Sequence, residues 1–146
     1  MIIYLDLCCI QRPLDDSSQI RIGLEAQAVI SILSFCESGQ AELVVSDALE
    51  FETENNPDRV RRSFAMRVLS KAGHRVELSP TIIDEARRLT QSGLKPLYAL
   101  HVAFAVGSGA DYFGTCDDRL LKRLQKLNPD SPRPINPIEL AGELLS

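Results

Sequence analysis

Apolar and polar positions along this chain alternate between a strand period and a helix period. IIYLD at 2–6 is a near-continuous apolar run closed by an acid, the pattern of a strand buried on both faces. Residues 20–38 take the helical period, with Leu24, Ala28, Ile32 and Cys36 at i+4 spacing and Ser38-Gly39 closing the segment. ELVVS at 42–46 predicts a second strand and residues 47–54 a polar helix. NNPD at 55–58 breaks that helix and starts the next, with Pro57 at an early position and Val60, Phe64, Val68 and Ala72 as its apolar stripe. Arg61 falls close to that stripe and makes it imperfect.

RVEL at 75–78 predicts a third strand. Ser79-Pro80 opens a helix through about Gln91, and Lys95-Pro96 opens an apolar helix that ends at 107–109. DYFGT at 111–115 predicts a fourth strand, and Asp117 is placed to cap a helix over 118–127. NPDSPRP at 128–134 reads as a proline-rich turn before a short strand at 134–136, after which Pro137 starts a terminal helix. Strands alternating with helices imply one α/β domain over residues 1–146, a three-layer sandwich in which a parallel sheet of about five strands carries helices on both faces. In such sheets the chemistry collects beyond the carboxyl ends of the strands, where strand order reverses.

Composition narrows this picture. The 146 residues are one domain's worth, and no segment reaches the roughly 18 apolar residues of a membrane span. MIIYLD has no basic leader and no cleavage site, so a cytoplasmic location is the default expectation. The four cysteines, at 8, 9, 36 and 116, lack CxxC spacing and are expected as buried free thiols. The net charge is −4, unevenly spread. Six of the 16 basic residues (Arg59, Arg61, Arg62, Arg67, Lys71, Arg75) fall in a stretch without acids, and the other 10 face 20 acids. Such a chain is no general nucleic-acid coat, but the basic stretch can offer a local phosphate-binding edge.

Candidate chemistry lies in the acids that follow strands. Asp6 ends strand 1, Asp117 and Asp118 follow strand 4, and Glu50 and Glu52 lie on the helix after strand 2. Two carboxylates about 4 Å apart repel by roughly 4 kcal/mol at an effective dielectric near 20, so a cluster of them calls for protons or cations. Oxygen ligands without thiol or imidazole partners suit Mg²⁺ or Mn²⁺. These acids also have plain structural readings. Asp6 suits a turn, Asp117 a helix N-cap, Asp118 a first helical turn, and Glu52 a solvated face. His101 reads as a core residue of the apolar helix, and His74 as a solvated turn residue.

Together these segments resemble the PIN-domain ribonucleases, especially the VapC-type toxins of bacterial toxin–antitoxin pairs, over nearly the whole chain. IYLDLCCI is similar to the family's opening strand and first acid, at Asp6. VVSDALEFE is similar to its second motif, in which an acid follows a serine by six positions: from Ser46 this is Glu52, with Glu50 if the register slips. LKPLYALHVAFA resembles a stretch usually written L-D-A-L-H-x-A, with Tyr98 in the acid's place. DYFGTCDDRLLK resembles the last motif, with its acid at Asp117, and INPIEL the common ending.

The resemblance implies an endoribonuclease that holds Mg²⁺ or Mn²⁺ on Asp6, Glu52 and Asp117, with Glu50, Tyr98 and Asp118 as accessory positions. It also implies homodimers and a small antitoxin partner. A phenol, with a pKa near 10, is a poor ligand for Mg²⁺. Weakened activity is therefore expected, with the Tyr98 hydroxyl hydrogen-bonded to a remaining carboxylate. Arg59, Arg62, Arg67 and Lys71 are the expected rim for RNA or a partner. The competing readings are a catalytically silent PIN fold that binds RNA or protein, and a phosphatase or nucleotide-binding domain. The last is disfavoured because no glycine-rich phosphate loop follows any strand.

Overall fold

Four consecutive apolar residues make the innermost strand. β1 (Ile2–Leu5) is at the centre of an all-parallel sheet that also contains β2 (Glu42–Ser46), β3 (His74–Val76), β4 (Tyr112–Gly114) and β5 (Arg133–Ile135), in the order β3-β2-β1-β4-β5. Ile3, Tyr4 and Leu5 are fully buried because neighbouring strands and helices cover both faces. The structure, a computed structural model, describes residues 1–127 and 131–146. The first three residues of the predicted turn over 128–134 therefore lie outside the described residues.

The helices are α1 (Leu7–Ile10), α2 (Ile20–Glu37), α3 (Asp47–Glu54), α4 (Arg59–Ser70), α5 (Pro80–Gln91), α6 (Pro96–Gly107), α7 (Asp118–Leu127) and α8 (Pro137–Leu145), with a 3₁₀ turn at Arg12–Leu14. The β1→β2 and β3→β4 crossovers run in opposite directions across the sheet. Right-handed connections therefore put their helices on opposite faces, giving three layers. On one face α2 packs against α8, and elsewhere α5 pairs with α6.

Alternation along β1 divides its side chains between the layers. Tyr4 stacks on its β4 register partner Phe113 at 5.5 Å between ring centroids and meets His101 of α6 edge-on. Leu5 points the other way, beneath Gly114, where a Cβ would lie 2.6 Å from Leu5 Cδ2 and 3.9 Å from Leu140 of α8. That close approach requires glycine in β4.

Local capping sets several boundaries. Ser46 Oγ accepts from Leu49 N at 3.2 Å, Ser79 Oγ from Ile82 N at 3.3 Å and Asn136 Oδ1 from Ile138 N at 2.7 Å. Each such cap is worth about 1 kcal/mol.

Several expectations need correction. Pro57 precedes α4 instead of opening it. Asp58 is the N-cap and accepts from the Val60 and Arg61 amides. Of the expected stripe, Phe64, Val68 and Ala72 pack half-buried against the core, but Val60 is 68% exposed, and the buried positions of α4 are Ala65 and Leu69. In α2 the buried positions are Glu25, Ala28, Val29 and Ile32, while Leu24 faces solvent. β3 begins at His74, which is half-buried with Nδ1 3.3 Å from Glu42, and is not a solvated turn residue. The strand stops at Val76, because the Leu78 amide turns to Asp47 Oδ2 at 2.7 Å. β5 begins one residue earlier than expected.

Candidate functional site

β2 lies on one side of β1 and β4 on the other, so strand order reverses there. A crevice of about 510 Å³ opens in this region, and Asp6, Glu52 and Asp117 all line it, with Tyr98 and His101 of α6 on its wall. Leu7, Cys8, Arg12, Leu97 and Cys116 contribute further surface.

Each acid is anchored differently. Asp6 follows β1 directly and is 8% exposed. It caps α1, with Oδ1 accepting from Cys9 N at 3.1 Å and from the Cys8 thiol at 2.9 Å. Burial pushes its carboxyl well above the usual range, and hydrogen bonds from Thr115 and the Cys9 amide pull partly back. Asp117 follows β4 and caps α7 as the sequence predicts, with Oδ1 accepting from the amides of Arg119 (3.0 Å) and Leu120 (3.1 Å). Its Oδ2 remains on the crevice side, where the Tyr98 hydroxyl donates to it at 3.3 Å. Burial, followed by the charge of Asp117, raises the Tyr98 phenol above its ordinary value.

Glu52 reaches the crevice from α3, and its Oε1 contacts His101 Nε2. Behind His101 lies a buried chain: Nδ1 is 2.6 Å from the Tyr4 hydroxyl, which is 2.8 Å from Ser46 Oγ. A Glu52 carboxylate requires a hydrogen on Nε2. In the neutral ring Nδ1 then accepts from Tyr4, and Tyr4 accepts from Ser46. His101 is thus a core residue and a crevice residue at once. Ser46, the serine of the second motif, caps α3 and ends this chain.

Glu50 and Asp118 do not line the crevice. Two helical positions are about 200° apart, so α3 cannot present both Glu50 and Glu52 to it. Glu50 pairs with Arg75 at 2.7 Å. Asp118 is exposed and takes a two-pronged contact from Arg21, at 2.6 and 2.7 Å, that ties α7 to α2.

The basic stretch is also distributed. Arg59, Arg62 and Arg67 surround a shallow concavity on the outside of α4. Lys71 and Arg67 border a groove between α2 and α4, where Lys71 pairs with Glu37 at 2.7 Å. Arg61 pairs with Asp15 and Arg75 with Glu50, and neither remains a free cation. None of these residues lines the acidic crevice.

Two features of the crevice escape sequence reasoning. Arg12 stands in its wall, 2.8 Å from Asp15 and 3.1 Å from Glu25. Glu25 is an entirely buried acid that also takes a hydrogen bond from Asn136 Nδ2 at 3.0 Å. The other feature is a group of thiols. All four cysteines are free, as expected, but only Cys9 and Cys116 are buried: Cys36 is half-buried, and Cys8 is exposed, its sulfur gathered with those of Cys9 and Cys116. Contact with the neighbouring Cys8 and Cys9 thiols, aided by Arg12, lowers the Cys116 thiol, whereas burial pushes Cys9 up. No sequence spacing announces this group, because 107 residues separate Cys9 from Cys116.

No protein-family model matches this sequence, and no curated protein matches it significantly. Among the described residues, no helix is long and apolar enough to cross a membrane.

Proposed function

We propose that the crevice is the cation-dependent phosphodiesterase site of a PIN-type, VapC-like endoribonuclease of reduced activity. One observation carries the reading: Asp6, Glu52 and Asp117, which follow three different strands, line a single crevice at the reversal of strand order. The donor set fits Mg²⁺ or Mn²⁺. It offers carboxylate oxygens, including Asp117 Oδ2 and the Glu52 oxygen not engaged by His101, but it has a phenol where the resemblance places an acid.

Asp6, Glu52 and Asp117 would hold the ion, which supplies activation of water and neutralisation of charge at phosphorus when bound. Arg12 is the one cationic side chain in the crevice wall among the described residues, and its charge, held by Asp15 and Glu25, would face a phosphate there. Tyr98 holds Asp117 Oδ2, and His101 fixes the Glu52 carboxylate, so both acids are oriented before any ligand arrives.

The test is cleavage of single-stranded RNA with millimolar Mg²⁺ or Mn²⁺, alongside calorimetric titration of the ion. The expectation is slow cleavage, abolished by chelator and by Asp117→Asn. A second reading, a silent fold that binds RNA or protein, draws support from the phenol at Tyr98. Absence of saturable ion binding, together with absence of cleavage, selects that reading.

A further inference from the structure

The three clustered thiols have a chemistry distinct from that of the carboxylates beside them. Cys8 and Cys9 come from the turn of helix after β1, and Cys116 comes from the connection after β4. Cys9 Sγ lies 3.5 Å from Cys116 Sγ, and all three sulfurs lie within 4.8 Å of one another. A tetrahedral zinc ion with bonds of about 2.3 Å separates its thiolates by roughly 3.8 Å, which is within reach of this arrangement by small side-chain rotations. Cys8 is exposed to solvent and gives an ion a path to sulfurs that are otherwise buried. Three thiolates around a divalent ion leave one net negative charge, and Arg12 in the same wall opposes it.

We infer that Cys8, Cys9 and Cys116 form a binding site for one thiophilic d¹⁰ cation, of which Zn²⁺ is the representative, with the fourth position open to solvent on the exposed Cys8 side. Soft sulfur donors select such ions against Mg²⁺ and Mn²⁺. This inference does not depend on the nuclease reading.

The full chain, kept reduced with a phosphine, is titrated with Zn²⁺ against a chromophoric chelator. A parallel sample is loaded with Co²⁺, whose thiolate charge-transfer absorption and tetrahedral d–d bands report the ligands. One equivalent of Zn²⁺ per chain and a thiolate-rich tetrahedral Co²⁺ spectrum are expected. Cys8→Ser, at an exposed position that should leave the fold intact by circular dichroism, should weaken Zn²⁺ binding at least ten-fold and diminish the charge-transfer band. Cys36→Ser, outside the group, should leave both unchanged. Asp117→Asn should keep the thiolate band while impairing the carboxylate site, so failure at one site is distinguishable from failure at the other. A reduced protein without thiolate-to-cobalt absorption overturns the inference. So does a folded Cys8→Ser variant that binds Zn²⁺ as tightly as the parent.

Discussion

The Tyr98 hydroxyl donates to Asp117 Oδ2 across 3.3 Å, so a phenol stands in contact with a carboxylate of the crevice. On the nuclease reading, Tyr98→Asp restores an oxygen ligand to the crevice. Losing a group that merely orients a ligand costs 10–100-fold in metal affinity, so gaining a ligand should tighten Mg²⁺ binding by roughly that much or more. Without metal the variant should melt lower, because it loses ring contacts and places a charge beside Asp117 and Asp6. The α6 N-terminus offsets only about 0.3–1 kcal/mol of that loss, since residue 98 lies in its first turn. Melting scans with chelator and with Mg²⁺ read both effects. A variant that gains no more from Mg²⁺ than the parent does would remove position 98 from the ion site.

Behind the crevice, Ser46, Tyr4 and His101 form a buried chain whose members satisfy one another. Tyr4→Phe removes the middle hydroxyl and leaves both neighbours without that partner. The expected cost is about 1–3 kcal/mol in urea unfolding, the penalty for stranding buried polar groups. Ser46→Ala should couple to it by more than about 0.5 kcal/mol in a double-mutant cycle. Additive effects would mean that the hydroxyls act separately.

Much of this architecture was legible in the sequence, for reasons that are local. Apolar continuity in residues 2–5 specifies a central strand, Ser79-Pro80 specifies where α5 begins, and Asp117 caps α7 through its own neighbouring amides. What escaped depends on partners far along the chain. LCCIQRPL at 7–14 has no period, so α1 and the turn after it went unread. Glu25 is buried on α2 because Arg12 and Asn136 come to it from elsewhere in the chain, which the helical period does not show. The thiol group has the same origin, as adjacency of Cys8 and Cys9 says nothing about Cys116. Glu50 and Asp118 were candidates because strand-end position does not fix a helical angle, and both turn to arginines outside the crevice.

Asp15 makes part of the stability pH-dependent. Burial raises its carboxyl, but Arg61 and Arg12 outweigh this and hold it below its ordinary value. A depressed folded-state pKa contributes stability above the unfolded value near 3.9, and that contribution disappears as pH falls through the folded value. The pairs are partly exposed, at 23% for the Asp15 side chain, so solvent screening limits the contribution to about 1 kcal/mol. Asp15→Asn should therefore be less stable than the parent at pH 6, and the two should converge as pH falls below about 4. A gap in urea midpoints that stays constant from pH 6 to pH 3 would show that charge is not what Asp15 contributes.

The outer face of α4 provides the last test, of where RNA would be held. Arg59 and Arg67 have no carboxylate partner among the described residues, and Arg62 donates only to the Asn56 carbonyl at 2.7 Å. These cations are thus available to phosphates in a way that Arg61 and Arg75, already paired, are not. Each phosphate contact to a single strand contributes about 0.7 to the slope of log affinity against log salt. If Arg62 and Arg67 each neutralise one phosphate, their joint reversal to glutamate should flatten that slope by roughly 1.4 and weaken binding at low salt. Fluorescence anisotropy with a labelled single-stranded RNA measures both, in an Asp117→Asn background to prevent cleavage. Arg61→Glu makes a poor control, because it breaks the pair with the partly buried Asp15, whereas Arg87→Glu on α5 gives up only a 3.8 Å contact with the exposed Asp84 and should leave the slope close to the parent's. Equal slopes for the parent and the Arg62/Arg67 variant would locate the RNA elsewhere and leave these arginines as the solvated face of a helix.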